Sequence, residues 1–95
     1  MDPTFETFSA EHRAAGFDEV LERRWEPNKV IDTHTHPFSV QALLVQGEMW
    51  LTVGPNTRHL KAGDRFDLDA DVTHAERYGA EGTTLWVARR NARKS

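Results

Sequence analysis

His34 and His36 stand one residue apart in the stretch Asp32-Thr33-His34-Thr35-His36-Pro37, and a third imidazole, His74, follows in Val72-Thr73-His74-Ala75-Glu76. Alternate side chains of an extended strand project from the same face, so the first two rings are expected side by side. Neutral imidazole nitrogens in such a pair can take two positions around a single metal ion. If the fold carries His74 to the same place, the chain has three nitrogen donors and no charge to offset a divalent ion. An ion held that way keeps its Lewis acidity and open positions for water or substrate.

Polar neighbours extend the set. Glu76 lies two residues after His74, and Asp32 two before His34, so on regular strands each shares a face with its histidine. Glu76 is expected as a further ligand or beside the ligands. Asp32 is expected either to approach the ion or to accept an imidazole N–H. Tyr78 has the same parity as His74 and Glu76, which places its hydroxyl to donate to a substrate oxygen. Glu76 and Tyr78 are therefore the residues from which catalysis is expected. Two histidines fall outside this group: His12 is expected at the surface of a helix, and His59 on an exposed strand.

The elements that must position these groups are short. Residues 4–16 read as a helix, with Ala10, Ala14 and Ala15 favouring it and Gly16 stopping it. Phe5 and Phe8, three apart, are placed to pin it to the rest of the domain. Residues 17–25 suit helix or strand. Pro27-Asn28 then turns the chain, and residues 29–35 form a strand with Val30, Asp32, His34 and His36 on one face. An apolar run over residues 41–45 suits a buried strand, and Gly47-Glu48 joins it to residues 49–53 as a hairpin. Turns at Gly54-Pro55-Asn56, Lys61-Ala62-Gly63-Asp64 and Gly79 to Gly82 separate the later strands. About eight short strands at regular spacing predict an all-β sandwich or jelly roll behind a short N-terminal helix. Inward positions of that barrel, Phe38, Met49, Leu51, Phe66 and Trp86, are expected to wall a small pocket. Trp50, of opposite parity to Met49 and Leu51, is available to a partner subunit.

Composition narrows the partners. Ninety-five residues allow one domain, and 38% apolar with 28% charged residues is ordinary for a globular chain. A net charge of −3 argues against nucleic acid or an anionic membrane as partner. The basic run from Arg89 to Lys94 is expected as a solvated tail over residues 90–95. Cysteine is absent, which excludes disulfides and thiolate sites. No apolar run approaches membrane-spanning length, and residues 1–6 lack the pattern of a signal peptide, so a cytoplasmic location is expected.

The histidine segments resemble the paired motifs of the cupin superfamily, G(X)5HXH(X)3,4E(X)6G and G(X)5PXG(X)2H(X)3N. His34, His36 and Gly47 stand at the first motif's spacing, with Asn28 where its opening glycine would be. Gly63 and His74 fit the second, with Asp69 and Asp71 replacing its proline and glycine and Tyr78 its asparagine. The resemblance covers about residues 20–88 and implies a double-stranded β-helix, or jelly-roll barrel, with one mononuclear site. It implies iron, manganese, nickel, copper or zinc as the ion, and a small oxygenated organic molecule as substrate or ligand. Dioxygenase, isomerase or lyase activity follows from that reading, and a non-catalytic binding or sensing module is the alternative. A homodimer is also implied. The family's glutamate ligand falls on Val40, which cannot bind metal and becomes part of the pocket wall. Gln41, one residue on, meets the longer spacing but needs a bulge to face the site.

Overall fold

A computed structural model describes residues 3–91. Helix α1 (Phe5–Ala14) precedes eight strands: β1 (Glu19–Trp25), β2 (Val30–His34), β3 (Phe38–Gln46), β4 (Glu48–Val53), β5 (Asn56–Lys61), β6 (Arg65–Leu68), β7 (His74–Tyr78) and β8 (Thr83–Asn91). They form two antiparallel four-stranded sheets, in the orders β1-β8-β3-β6 and β2-β7-β4-β5. The expected jelly roll is the observed architecture, and the ambiguous stretch 17–25 resolves as a strand. Its pairing with β8 over seven positions, from Glu19↔Arg89 to Trp25↔Thr83, decides it.

The apolar run in β3 has a simple explanation. Val40, Ala42 and Leu44 face the core between the sheets, together with Met49, Leu51, Leu60, Phe66 and Leu85. Leu43, of opposite parity, packs outward into a second cluster with Phe8, Phe17 and Ala88, where α1 covers the sheet. Both faces of the strand are thus covered, so alternation disappears from its sequence. Phe8 is 1% exposed and pins the helix, with Phe5 edge-on to Trp86 at 5.8 Å. Phe8→Ala is expected to cost about 3–5 kcal/mol, read by chemical denaturation.

This outer cluster corrects two expectations. His12 is 7% exposed and not a surface residue. One turn after Phe8, its ring lies 4.0 Å from the phenyl and its Nδ1 2.8 Å from the Phe8 carbonyl oxygen. Trp86 is not in the pocket. Leu85 and Val87 take the inward positions of β8, which turns Trp86 under the helix, where its Nε1 donates to Glu22 at 3.1 Å. Nor do Arg90 and Asn91 begin a solvated tail, since both belong to β8. Arg90 donates to the Ala15 carbonyl at 2.6 Å, and the Asn91 N–H to the Asp18 carboxylate at 2.7 Å. Residues 92–95 of that basic run lie outside the described residues.

Two departures from the motif glycines leave the backbone unchanged in kind. Asn28 and Asp71, where the motifs have glycine, adopt φ of 61° and 64°. Asparagine and aspartate are the side chains that best tolerate this left-handed region. The turns that deliver β2 and β7 to the site are therefore kept.

Candidate metal centre

β2 and β7 are neighbours, and their register brings His34 opposite His74. Ile31 pairs with Glu76 and His34 with His74, so three residues of β2 span two of β7. The extra residue reverses the parity of the strand at that point. Ile31 and His34 consequently line one cavity, whereas Asp32 is exposed and absent from its wall. The expected shared face of Val30, Asp32, His34 and His36 is thus corrected, because the bulge breaks the alternation on which it relied. Asp32 contributes its carbonyl, which accepts the His34 Nδ1–H at 2.7 Å.

Each imidazole is held in the same way. His36 Nδ1 lies 2.9 Å from the Phe38 carbonyl oxygen, and His74 Nδ1 2.9 Å from that of Val72. A carbonyl only accepts, so Nδ1 carries the proton in all three rings and Nε2 presents its lone pair. One donor atom from each of His34, His36 and His74 lies within 4.8 Å of the other two. The ring centroids of His34 and His36 are 4.3 and 4.9 Å from that of His74. Burial lowers the pKa of His36, the Phe38 carbonyl opposes this, and His74 and His34 lower it again. The neutral, ligating form is favoured. Three preoriented nitrogens with their outer N–H groups anchored on carbonyls fit a divalent transition ion.

Glu76 stands at the edge of this set. Its Oε2 is 3.8 Å from His34 Nε2, and its Oε1 accepts the Tyr78 hydroxyl at 2.9 Å. Tyr78 is 1% exposed. Burial raises its pKa and the adjacent carboxylate raises it further, so the phenol stays protonated and remains a donor. Its hydroxyl is thus directed at Glu76 and not, as expected, at a substrate oxygen. Tyr78→Phe leaves Glu76 Oε1 short of a donor, and should cost about 1–3 kcal/mol in denaturant unfolding while leaving the three histidines in place.

The cavity has a volume of ≈ 170 Å³. Phe38, Val40 and Phe66 line it as expected, but Met49 and Leu51 do not. Those two are 0% and 2% exposed and fill the core beyond its wall. Gln41 is exposed on β3, paired with Asp67 and Ala88, and lies outside the cavity. The irregularity in β3 falls between Leu44 and Gln46, too late to turn Gln41 inward. His59 is on β5, 2.6 Å from Glu48 and away from the triad. Trp50 lies outward between the rings of His59, at 4.6 Å, and the guanidinium of Arg77, at 3.9 Å. Sequence reasoning missed Arg23, Trp25 and Arg89 in the cavity wall. The alternation of Arg23 and Trp25 carried a signal, but only once β1 was known to be a strand.

The sequence matches no protein-family model and no curated protein. Its structure is similar to solved ones. An RmlC-like cupin from Shewanella frigidimarina NCIMB 400 superposes with a TM-score of 0.69 at 24% identity, over 79% of this chain and 67% of that one. KdgF from Halomonas sp. gives 0.65 at 16%, over 76% and 68%. Oxalate decarboxylase of Bacillus subtilis, a protein with Mn(II) centres, gives 0.69 at 17%, and the chain spans 80% of itself but 22% of that enzyme. The fold is the jelly roll of these cupin structures. The three-histidine cluster lies between the two sheets of this chain, and Val40 stands where the motif that its sequence resembles has a glutamate. No helix among the described residues is long and apolar enough to cross a membrane.

Proposed function

We propose that the protein binds one divalent transition-metal ion through His34, His36 and His74 and acts there on a small oxygenated organic molecule. The observation that carries this reading is the common tautomer: three Nδ1–H groups bonded to carbonyls leave Nε2 as the free donor of each ring, and one nitrogen from each ring lies within 4.8 Å of the other two. A divalent ion held there supplies Lewis acidity to a substrate oxygen.

Glu76 supplies the proton chemistry. Its Oε2 faces the imidazoles while Tyr78 fixes Oε1, so one oxygen is held and the other is free to accept and return a proton. This arrangement supports isomerisation or lyase chemistry more directly than oxygenation, because a positioned carboxylate beside a polarised carbonyl is what those reactions require. Phe38, Val40 and Phe66 limit the substrate to a small body.

Metal analysis of protein purified without a histidine tag, followed by reloading with manganese, zinc or iron, tests the site. About one equivalent retained through gel filtration is expected, and no retention with any of the three ions overturns the proposal. Deuterium uptake from solvent into a panel of small oxo- and hydroxy-compounds tests the proton transfer, which should fall sharply in Glu76→Gln. Oxygen consumption by the iron-loaded protein, undiminished in that variant, would instead select the dioxygenase form of the reaction.

A further inference from the structure

Besides the three imidazole Nε2 lone pairs and the Glu76 carboxylate, the cavity wall carries the hydrogen-bond donors of Arg23, Trp25 and Arg89. Trp25 and Arg89 both line it, and the indole Nε1 and guanidinium Nε are buried without a hydrogen-bond partner among the described residues. Buried donors are nearly always paired, and leaving one unpaired costs about 1–3 kcal/mol. Arg23 brings a second guanidinium to the wall, with its Cζ 4.7 Å from the centre of the Trp25 ring. Arg89 lies over Phe38 at 4.6 Å, and Phe38 in turn stacks on His36 at 4.2 Å. Glu76 is the one carboxylate among the described wall residues, and the Tyr78 hydroxyl already engages it.

These groups are near the histidines. The Trp25 ring stacks on Tyr78 at 5.1 Å, Tyr78 donates to Glu76 at 2.9 Å, and Glu76 stands 3.8 Å from His34. A cavity of ≈ 170 Å³ is close in size to one that takes benzene, so its occupant has about six to eight non-hydrogen atoms. Arg89 has the Glu19 carboxylate 3.6 Å from its Nη1, so the Arg23 guanidinium and the neutral Trp25 N–H are the groups that ask for an anion with several acceptor sites. A carboxylate meets an indole N–H and a guanidinium at once, through its two oxygens.

We propose that the occupant is a small carboxylate, its acid group held by Arg23 and the Trp25 indole N–H and its remaining oxygenated part turned toward the three histidines. This deepens the proposed function, since it names the substrate class of the same cavity. It does not depend on the metal for its test.

Nitrogen-labelled protein, metal-free and zinc-loaded, is titrated with propionate, lactate and malonate, with the corresponding amides, and with inorganic phosphate. The indole N–H signal of Trp25, assigned by its loss in Trp25→Phe, is expected to move with the carboxylates. That of Trp86, which already donates to Glu22 at 3.1 Å, should stay. The amides should bind about tenfold or more weakly, the equivalent of one lost charged hydrogen bond, and Arg23→Gln should remove the difference. Equal response to amide and carboxylate, tighter response to phosphate, or no movement of the Trp25 signal overturns the proposal. Because the metal-free arm stands alone, a carboxylate response from protein that retains none of manganese, zinc or iron sinks the metal reading and keeps this one. Zinc binding with a silent Trp25 does the reverse.

Discussion

Replacing His74 by alanine should lower affinity for zinc or cobalt by at least about 100-fold, because even the residues that merely orient a ligand are worth 10–100-fold. His74 is the most enclosed of the three rings, 2% exposed, and is the one near both others. Its loss leaves His34 and His36, whose centroids are 6.1 Å apart, as a pair exposed to water. His34→Ala combined with His74→Ala should abolish binding, as read by competition with a chromophoric chelator and by metal content after dialysis. Gln41→Ala and His59→Ala are the controls and should bind as the parent does, since neither residue reaches the triad. Metal retained at full stoichiometry by the double variant, with its circular dichroism unchanged, would mean that the ion sits elsewhere.

Gly47→Ala should be among the most damaging single-methyl changes in the chain. Gly47 has φ of 85°, and a Cβ there would lie 2.2 Å from the Gly82 carbonyl oxygen and 3.1 Å from the Thr83 Cα. Both obstacles are backbone, and Thr83 is tied across the gap by its hydroxyl donating to the Glu48 carbonyl at 2.8 Å. The turn between β3 and β4 cannot move without that bond. We expect a loss of about 3–5 kcal/mol, in the range reserved for strained backbone and overpacked sites. In a domain of this size that lowers the melting temperature by about 15 °C or more. Gly63→Ala separates the two causes: its φ is 98°, but nothing lies within 4 Å of the added carbon. It should cost only about 1–2 kcal/mol, the left-handed penalty alone. Equal losses in the two variants would remove the close approach from the explanation.

The value of Gly47 and Gly63 was legible as motif spacing, and so was the substitution of Asn28 and Asp71, whose positive φ angles show why those residue types are admissible there. Strand number and most turns were legible too, because Gly, Pro and Asn punctuate a chain through their own backbone preferences. The identity of the three imidazoles needed only their chemistry and a spacing. Facing was harder. Phe66 was read from its inward strand position and Val40 from motif spacing, but parity sent Asp32 inward, because the bulge in β2 is visible only against its partner β7. Trp86 failed for another reason: the large apolar face it joins is covered by α1, not by the opposite sheet. His12 looked polar and solvated, yet the same helix buries it against Phe8.

From its residues alone, this chain determined which side chains are able to ligate, where the backbone must turn, and that short strands follow a helix. All of these are properties of a few consecutive residues. Only the tertiary structure decided that the imidazoles share one point, that Glu76 and not Gln41 stands beside them, and that Arg23, Trp25 and Arg89 turn into the same cavity. Those outcomes depend on the register between strands distant in sequence and on which face each sheet has covered, and neither is encoded in any single segment.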